Sequence, residues 1–354
     1  MSLAVYLEPL QDELLSSWVF RTCHANATSL YSLLWHHGLN KYAQVDLDQS
    51  NNDNLTWWFV DELMHPEGAD GVYNMSLLPI RDIEEQFPKR SWIRGIDRRA
   101  YKWRAFRYCP ICLSEDERPY FRRYWRFDWY EVCHRHKVRM HSDCGKCGSP
   151  LILHRVRWQQ AHLAHCYSCK SDLSQEVKVP AVESDDWLHV VDSIFSMLSE
   201  QDKETFAAVH FLEAFVDQWI RLEGVEAFVQ KAKEYGFQFN TDELGEFPLL
   251  FRTIAAYRLW HEHPGTLKRL ISDNQKYFNL VVRSFGCPNV VDSFHIVLRQ
   301  EIDLTEELIL ETAKKIETTA RKPTVKRISK RLLCSTNKLQ CFLEEEGLKD
   351  LFPW

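Results

Sequence analysis

Apolar residues return every three or four positions along most of this chain, and they do so in blocks. Leu14, Leu15, Trp18 and Val19, then Leu30, Leu33 and Leu34, keep that spacing with Ser16, Ser17, Arg21 and His24 between them. The pattern predicts two short helices within residues 9–40. Asn26 to Ser29 separates them, because Asn, Thr and Ser favour caps over helix interiors. Such a pair is half of a helix-turn-helix unit or a plain helical hairpin, and the spacing alone allows both. Residues 44–56 are rich in Asp, Asn and Gln and predict a loop, followed by a helix holding Trp57, Trp58, Phe59 and Leu63, most of whose aromatics are expected in the core. After Val179 and Pro180 the helical period resumes over Leu188–Leu198, Phe206–Leu222, Val225–Tyr235, Leu249–Trp260, Thr266–Phe285 and Val290–Leu298, with Asp and Glu on the opposite faces. Pro248, Pro264 and Pro288 fall at the expected boundaries.

Between these helical ends the pattern breaks, and cysteine takes over. Cys109 and Cys112, Cys133 and His136, Cys144 and Cys147, and Cys166 and Cys169 each enclose two residues. Four such pairs in order predict two tetrahedral zinc sites, since a two-residue gap sets two donors on one tight turn and zinc takes four N or S ligands. His134 competes with His136, and His136 is preferred because its gap repeats the other three. His134, His141, His154, His162 and His165 are expected at the surface or behind the ligands. Gly148 follows Cys147 where a knuckle turns through positive φ. Four protein ligands per zinc leave no corner for water, so the sites are expected to be structural, and no open zinc motif of a hydrolase or deaminase is present.

The fold class that follows is mainly α with small zinc-stabilised α+β modules. It divides into an N-terminal helical, helix-turn-helix-like domain over 1–100, a tandem zinc-finger region over 101–180 and a C-terminal helical domain over 181–354. Cys23, Cys287, Cys334 and Cys341 lack partners at such spacing and are expected to be buried small residues.

Charge changes the picture locally. The chain of 354 residues has a formal net charge of −6, which argues against a basic coat over the whole surface. Yet Lys89, Arg90, Arg94, Arg98, Arg99, Lys102, Arg104 and Arg107 stand against Asp97 alone, with Trp92, Tyr101, Trp103, Phe106 and Tyr108 among them. The run continues through Arg118, Arg122, Arg123 and Arg126. Such a stretch either follows a phosphate backbone and stacks on bases, or turns its aromatics inward beneath a solvated face. Near the C-terminus Lys326, Arg327, Lys330, Arg331 and Lys338 crowd a second basic segment. Its apolar spacing, with Ile328, Leu332, Cys334, Leu339 and Phe342, fits a helix-turn-helix over 324–346 or a plain three-helix unit. Ser335 is placed to cap a helix starting at Thr336, which would offer Thr336, Asn337 and Lys338 to nucleic acid. No apolar run is long enough to span a membrane and no basic n-region opens the chain, so a cytoplasmic, reducing location is expected, where paired cysteines are metal ligands.

These residues resemble the TniQ/TnsD family of transposon target-selection proteins. Pro9, Glu13, Ser17, Trp18 and Arg21 match its N-terminal signature, and Arg107, Cys109, Pro110, Cys112, Leu113, Tyr120, Trp125, Cys133, His136, Cys144, Cys147 and Gly148 match its centre. The resemblance covers residues 9–170. It implies a non-enzymatic adaptor, with two structural Zn2+, that links a CRISPR RNA-guided Cascade-type complex to an AAA+ ATPase of the TnsC type and the transposase, and that can form a homodimer. The length fits the compact, CRISPR-associated members. The alternative is a direct, sequence-specific attachment-site reader, which the C-terminal basic helices favour. On either reading, the residues expected to meet DNA, guide RNA or a partner are Lys89, Arg90, Arg94, Arg98, Arg99, Arg122, Arg123, Lys326, Arg327, Lys330, Arg331, Thr336, Asn337 and Lys338.

Overall fold

Leu14, Leu15, Trp18, Val19 and Cys23 bring one stripe of α1 (Leu15–Ala25) into the core, but Ser16, Ser17, Arg21 and Thr22 are buried as well. A helix buried all round with polar residues needs partners for them. The computed structural model supplies those partners; it describes residues 3–42, 45–63, 66–84, 91–95, 105–160, 162–181, 183, 185–238, 246–274, 277–278, 280–281, 304–318, 322–332, 336–348 and 351–352, without the side chains of Lys315, Lys330, Arg331, Asn337 and Lys338. Arg21 donates through Nε to Glu13 Oε1 at 2.7 Å and through Nη2 to Oε2 at 2.6 Å. Ser17 Oγ donates to the same carboxylate at 2.9 Å and accepts the backbone N–H of Phe121 at 2.9 Å, while the Trp18 indole donates to Leu7 O at 2.7 Å. Glu13, Ser17, Trp18 and Arg21 therefore lock α1 to the segment before it and to the backbone at Phe121.

Ser29 caps α2 (Leu30–His36) by accepting Ser32 N–H at 3.1 Å, and Asn52 caps α3 (Asp53–Asp61) at Leu55 N–H, 3.3 Å. Trp58, Phe59 and Leu63 are buried as expected, but Trp57 is 58% exposed, because the helical period that buries Trp58 turns its neighbour outward. Two further helices, α4 (Gly68–Met75) and α5 (Leu78–Glu84), follow. The first zinc-ligand pair straddles the start of α6 (Pro110–Glu115), with Cys109 as its N-cap, Cys112 within it and Pro110 at its first turn where no N–H is missed. Antiparallel pairing among the described residues is confined to isolated bridges, and none extends into a sheet. The β content of the zinc modules is thus a set of single bridges, three of them closing short hairpins and two, Tyr108–His141 and Val138–Pro180, joining more distant segments.

The chain forms two compact units, 1–203 with 242–251, and 204–241 with 252–354. In the first, Phe195 of α7 (Leu188–Ser199) packs on Tyr124, Trp129, Tyr130 and His134. Glu131 accepts the N–H groups of Leu249 and Leu250 at 3.0 and 3.1 Å, and Arg139 pairs with Glu246 at 3.0 Å, which draws 246–250 onto the zinc region.

In the second unit α8 (Lys203–Glu223) packs Phe211 and Phe215 edge-on against Phe278, and Trp219 edge-on against Phe228 and stacked on Tyr277. It also holds α9 (Val225–Glu234), α10 (Pro248–His261, from Arg252) and α11 (Pro264–Asp273). The expected Pro248 and Pro264 starts are met; residues 290–298, Pro288, Cys287 and Cys334 lie outside the described residues. Three further helices, α12 (Glu306–Glu317), α13 (Val325–Leu332) and α14 (Thr336–Glu345), share a separate core of Ile309, Ile316, Ile328, Leu332, Leu339 and Leu343. Cys341 is exposed on α14, contrary to the expected burial, because Leu339 and Leu343 face the core and place the residue between them outward. Cys23 is buried as expected.

Candidate metal centres

Tight turns position the ligands. After Cys133-x2-His136, Cys144-x2-Cys147 and Cys166-x2-Cys169, the next residue is left-handed: Lys137 at φ 53°, Gly148 at φ 68° and Lys170 at φ 61°. In each, the N–H of that residue returns to the first ligand's carbonyl, at 2.7, 2.7 and 2.9 Å, and the first ligand's N–H meets the carbonyl two residues past the second, at 2.9 Å in all three. Bridges Val132–Arg139, Asp143–Pro150 and His165–Asp172 close the three turns in the same register. Only Gly148 met the expected glycine signature. A left-handed Lys costs about 1 kcal/mol relative to an unstrained residue, so Lys170→Gly is expected to raise the midpoint of thermal unfolding by a stabilisation of up to about 1 kcal/mol, reduced by glycine's greater freedom when unfolded.

The donor atoms meet the geometry of zinc. Two thiolates of a tetrahedral zinc with Zn–S of about 2.3 Å stand about 3.8 Å apart, and a thiolate and an imidazole about 3.6 Å. Cys112 and Cys133 Sγ are 3.7 Å apart, and His136 Nδ1 lies 3.4, 3.3 and 3.6 Å from the sulfurs of Cys109, Cys112 and Cys133. In the second set Cys144 and Cys169, and Cys147 and Cys166, are each 3.6 Å apart. A disulfide needs about 2.05 Å, so neither set is one. Both sets bring their four donors together, and they fit two structural zinc ions.

Without a cation the first set cannot release all its protons: hydrogen bonds from Cys109 and Cys112 hold the Cys133 thiol low, while sharing with Cys109 and Cys133 pushes Cys112 high. A dication removes that competition, since all three sulfurs can then be thiolates. His136 offers Nδ1 because its Nε2 is engaged by Glu115 Oε2 at 2.9 Å. Ser171 Oγ stands 3.2 and 3.1 Å from Cys144 and Cys169. Glu115 and Ser171 were missed in the sequence; Glu115 sits three residues beyond Cys112 on α6, the helical distance that returns it to the ligand side. His134, the rejected competitor, is held instead by Tyr130, whose hydroxyl lies 2.6 Å from its Nδ1. The first set is largely buried, whereas Cys147 is exposed and Cys169 half-buried.

The basic residues divide sharply. Arg122 makes a two-pronged pair with Asp116, at 3.1 and 2.6 Å, beneath Tyr120 and Trp125. Arg126, fully buried, binds Asp48 at 2.6 Å and Asp46 at 2.7 Å. Asp48 also takes the N–H and hydroxyl of Ser16, at 2.8 and 2.9 Å. Burial pushes the Asp48 carboxyl up to about 7 against the pull of Arg126. Burial also acts to raise Asp46, but Arg126 outweighs it and holds that carboxyl below its usual range. Arg107 donates to the carbonyls of Asp128 and Tyr130 at 2.8 Å each, Arg123 to Asn74 O, and Arg94 is half-buried. Lys89, Arg90, Arg98 and Arg99 lie outside the described residues. Lys326 and Arg327 are exposed on α13, and Thr336 is half-buried at the start of α14, its hydroxyl 3.3 Å from Ser329 Oγ. Lys330 and Arg331 belong to α13, and Asn337 and Lys338 to the first turn of α14.

Residues 4–140 match the family model TniQ. This part of the chain is a TniQ domain. No curated protein matches it. The TniQ match takes in the Glu13–Arg21 lock, the Arg126 cluster and the whole first metal set, and ends before Cys144. A TniQ domain makes this a transposition-associated protein. No described helix is long and apolar enough to cross a membrane.

Proposed function

We propose that this chain is a non-catalytic target-selection adaptor in transposition, with its zinc-bearing TniQ part serving as a rigid scaffold for protein partners and its C-terminal helices contacting duplex DNA. The observation that carries the DNA contact is the α12–α14 unit. Its apolar residues close a core of their own while Lys326 and Arg327 remain at the surface of α13. Arg107, Arg122 and Arg126, by contrast, are buried and engaged by carboxylates and carbonyls, so they support the fold more than they support a phosphate surface. Four protein donors at each zinc set support a structural role for the metals. The protein partners proposed are an AAA+ ATPase of the TnsC type and, through it, the transposase.

The test is a gel shift on candidate attachment-site duplex with the purified chain alone, beside a pull-down with an RNA-guided Cascade-type complex. Duplex binding is expected without the complex, with log affinity falling linearly as log salt rises. Lys326→Ala combined with Arg327→Ala is expected to weaken it and to lower the salt slope by about 2, one contact each. Binding to the complex alone, with no affinity for free duplex, would replace direct reading with the RNA-guided adaptor.

A further inference from the structure

The third knuckle carries a donor set that the two zinc sites do not use. His162, His165 and Asp172 offer one donor atom each within 4.8 Å of one another. The bridge at this knuckle pairs His165 with Asp172, while the same register at the other two pairs Val132 with Arg139 and Asp143 with Pro150. Knuckle geometry therefore does not demand these residue types.

Each of the three is turned for coordination. His165 Nδ1 lies 3.0 Å from the carbonyl of His162 and can donate to it, which leaves Nε2 with a free lone pair. Asp172 Oδ1 accepts the N–H and hydroxyl of Ser174, at 2.9 and 2.7 Å, and so directs Oδ2 elsewhere. Oδ2 stands 3.7 Å from His162 Nε2, too long for a hydrogen bond. Two nitrogen or oxygen ligands of one tetrahedral ion at about 2.0–2.1 Å are about 3.4 Å apart, close to that separation. The His162 and His165 rings lie 4.3 Å apart, and His162 Nδ1 is buried without a hydrogen-bond partner, so this imidazole has no hydrogen bond to account for its placement.

We propose that His162, His165 and Asp172 form a third metal site, for a divalent first-row transition ion. It differs in kind from the other two. Two imidazoles and one carboxylate give three protein ligands, so a bound ion keeps at least one position for water or for a ligand from outside. All three residues are only half-buried, which leaves the ion reachable from solvent.

The experiment uses the full chain, purified with both cysteine sets zinc-loaded and then titrated with Co2+. Binding of a third equivalent is expected, with weak visible bands and no thiolate-to-cobalt charge transfer, and zinc content unchanged by elemental analysis. His165→Ala and Asp172→Asn should each weaken that third equivalent at least tenfold while both zincs remain bound. Asp172→Asn keeps an oxygen for Ser174, so the turn is preserved, whereas His165→Ala also removes the contact with the His162 carbonyl. Absence of a third equivalent in the wild-type chain overturns the site, as does a third equivalent that both variants keep, or cobalt that enters only by displacing zinc.

Discussion

Cys112→Ser is expected to remove the first zinc and with it the folded state of the TniQ domain. A structural zinc contributes about 10–16 kcal/mol of apparent binding energy, whereas a whole domain is stable by only about 5–15 kcal/mol. Loss of one ligand therefore exceeds or matches everything that holds the unit together. Cys112 is fully buried beside Cys133 and His136, so no water can replace its sulfur without opening the core. Zinc content should fall from two equivalents to one, and the cooperative thermal transition of residues 4–140 should disappear. Cys147→Ser offers the contrast. Its sulfur is exposed and its site lies beyond the TniQ match, so the second zinc should be lost while the α1 region stays folded. A Cys112→Ser chain with two zincs and an unchanged midpoint would falsify the assignment.

Arg126→Met carries the second largest effect. The guanidinium is fully buried and is the cation shared by Asp46 and Asp48. Removing one partner of a buried ionic cluster typically costs about 3–5 kcal/mol, because the remaining charge is stranded, while replacing the whole cluster with neutral groups is often harmless. Arg126→Met alone should thus lower stability by that amount in chemical denaturation, and adding Asp46→Asn and Asp48→Asn should restore much of it. If the triple variant is no more stable than the single one, packing rather than charge is what Arg126 supplies. The cluster also sets a pH dependence. Burial pushes Asp48 up to about 7 in the folded chain against about 3.9 when unfolded, so the folded state binds the extra proton and its stability falls as pH rises from about 4 to about 7, levelling off above. Asp48→Asn should flatten that decline between about pH 4 and pH 7. Asp46, held low, acts with the opposite sign and contributes above its unfolded value, losing that contribution only in acid.

The same buried ion chemistry explains what the N-terminal signature means. Glu13, Ser17 and Arg21 stand four residues apart, and in a sequence that spacing reads equally as a polar helix face. The fold turns it inward: Glu13 is met by Arg21, Ser17 and the N–H of Leu10 at 3.0 Å, and Ser17 reaches Phe121 more than a hundred positions away. Local periodicity found the helices because each turn of an amphipathic helix repeats its own environment. It missed α4 and α5, whose apolar residues are few and short in extent. It could not sort Arg122 and Arg126 from Lys326 and Arg327, since a carboxylate brought in from residue 46, 48 or 116 decides whether an arginine is buried in a pair or left to solvent.

What the sequence determined by itself was the set of eight zinc ligands and the helical character of both ends. Both are written at short range, in two-residue gaps that form one turn each and in apolar spacings that match one helical period. The choice of His136 over His134 was also legible there, from the repeated gap, and the Nδ1 distances to three sulfurs agree with it. Only the tertiary structure decided which basic residues face solvent, what the Glu13–Arg21 motif holds together, and that Asp172 meets His162 and His165. Those depend on chain segments brought together by turns and packing, and a charge or a donor has no fixed role until its partner, distant in sequence, arrives beside it.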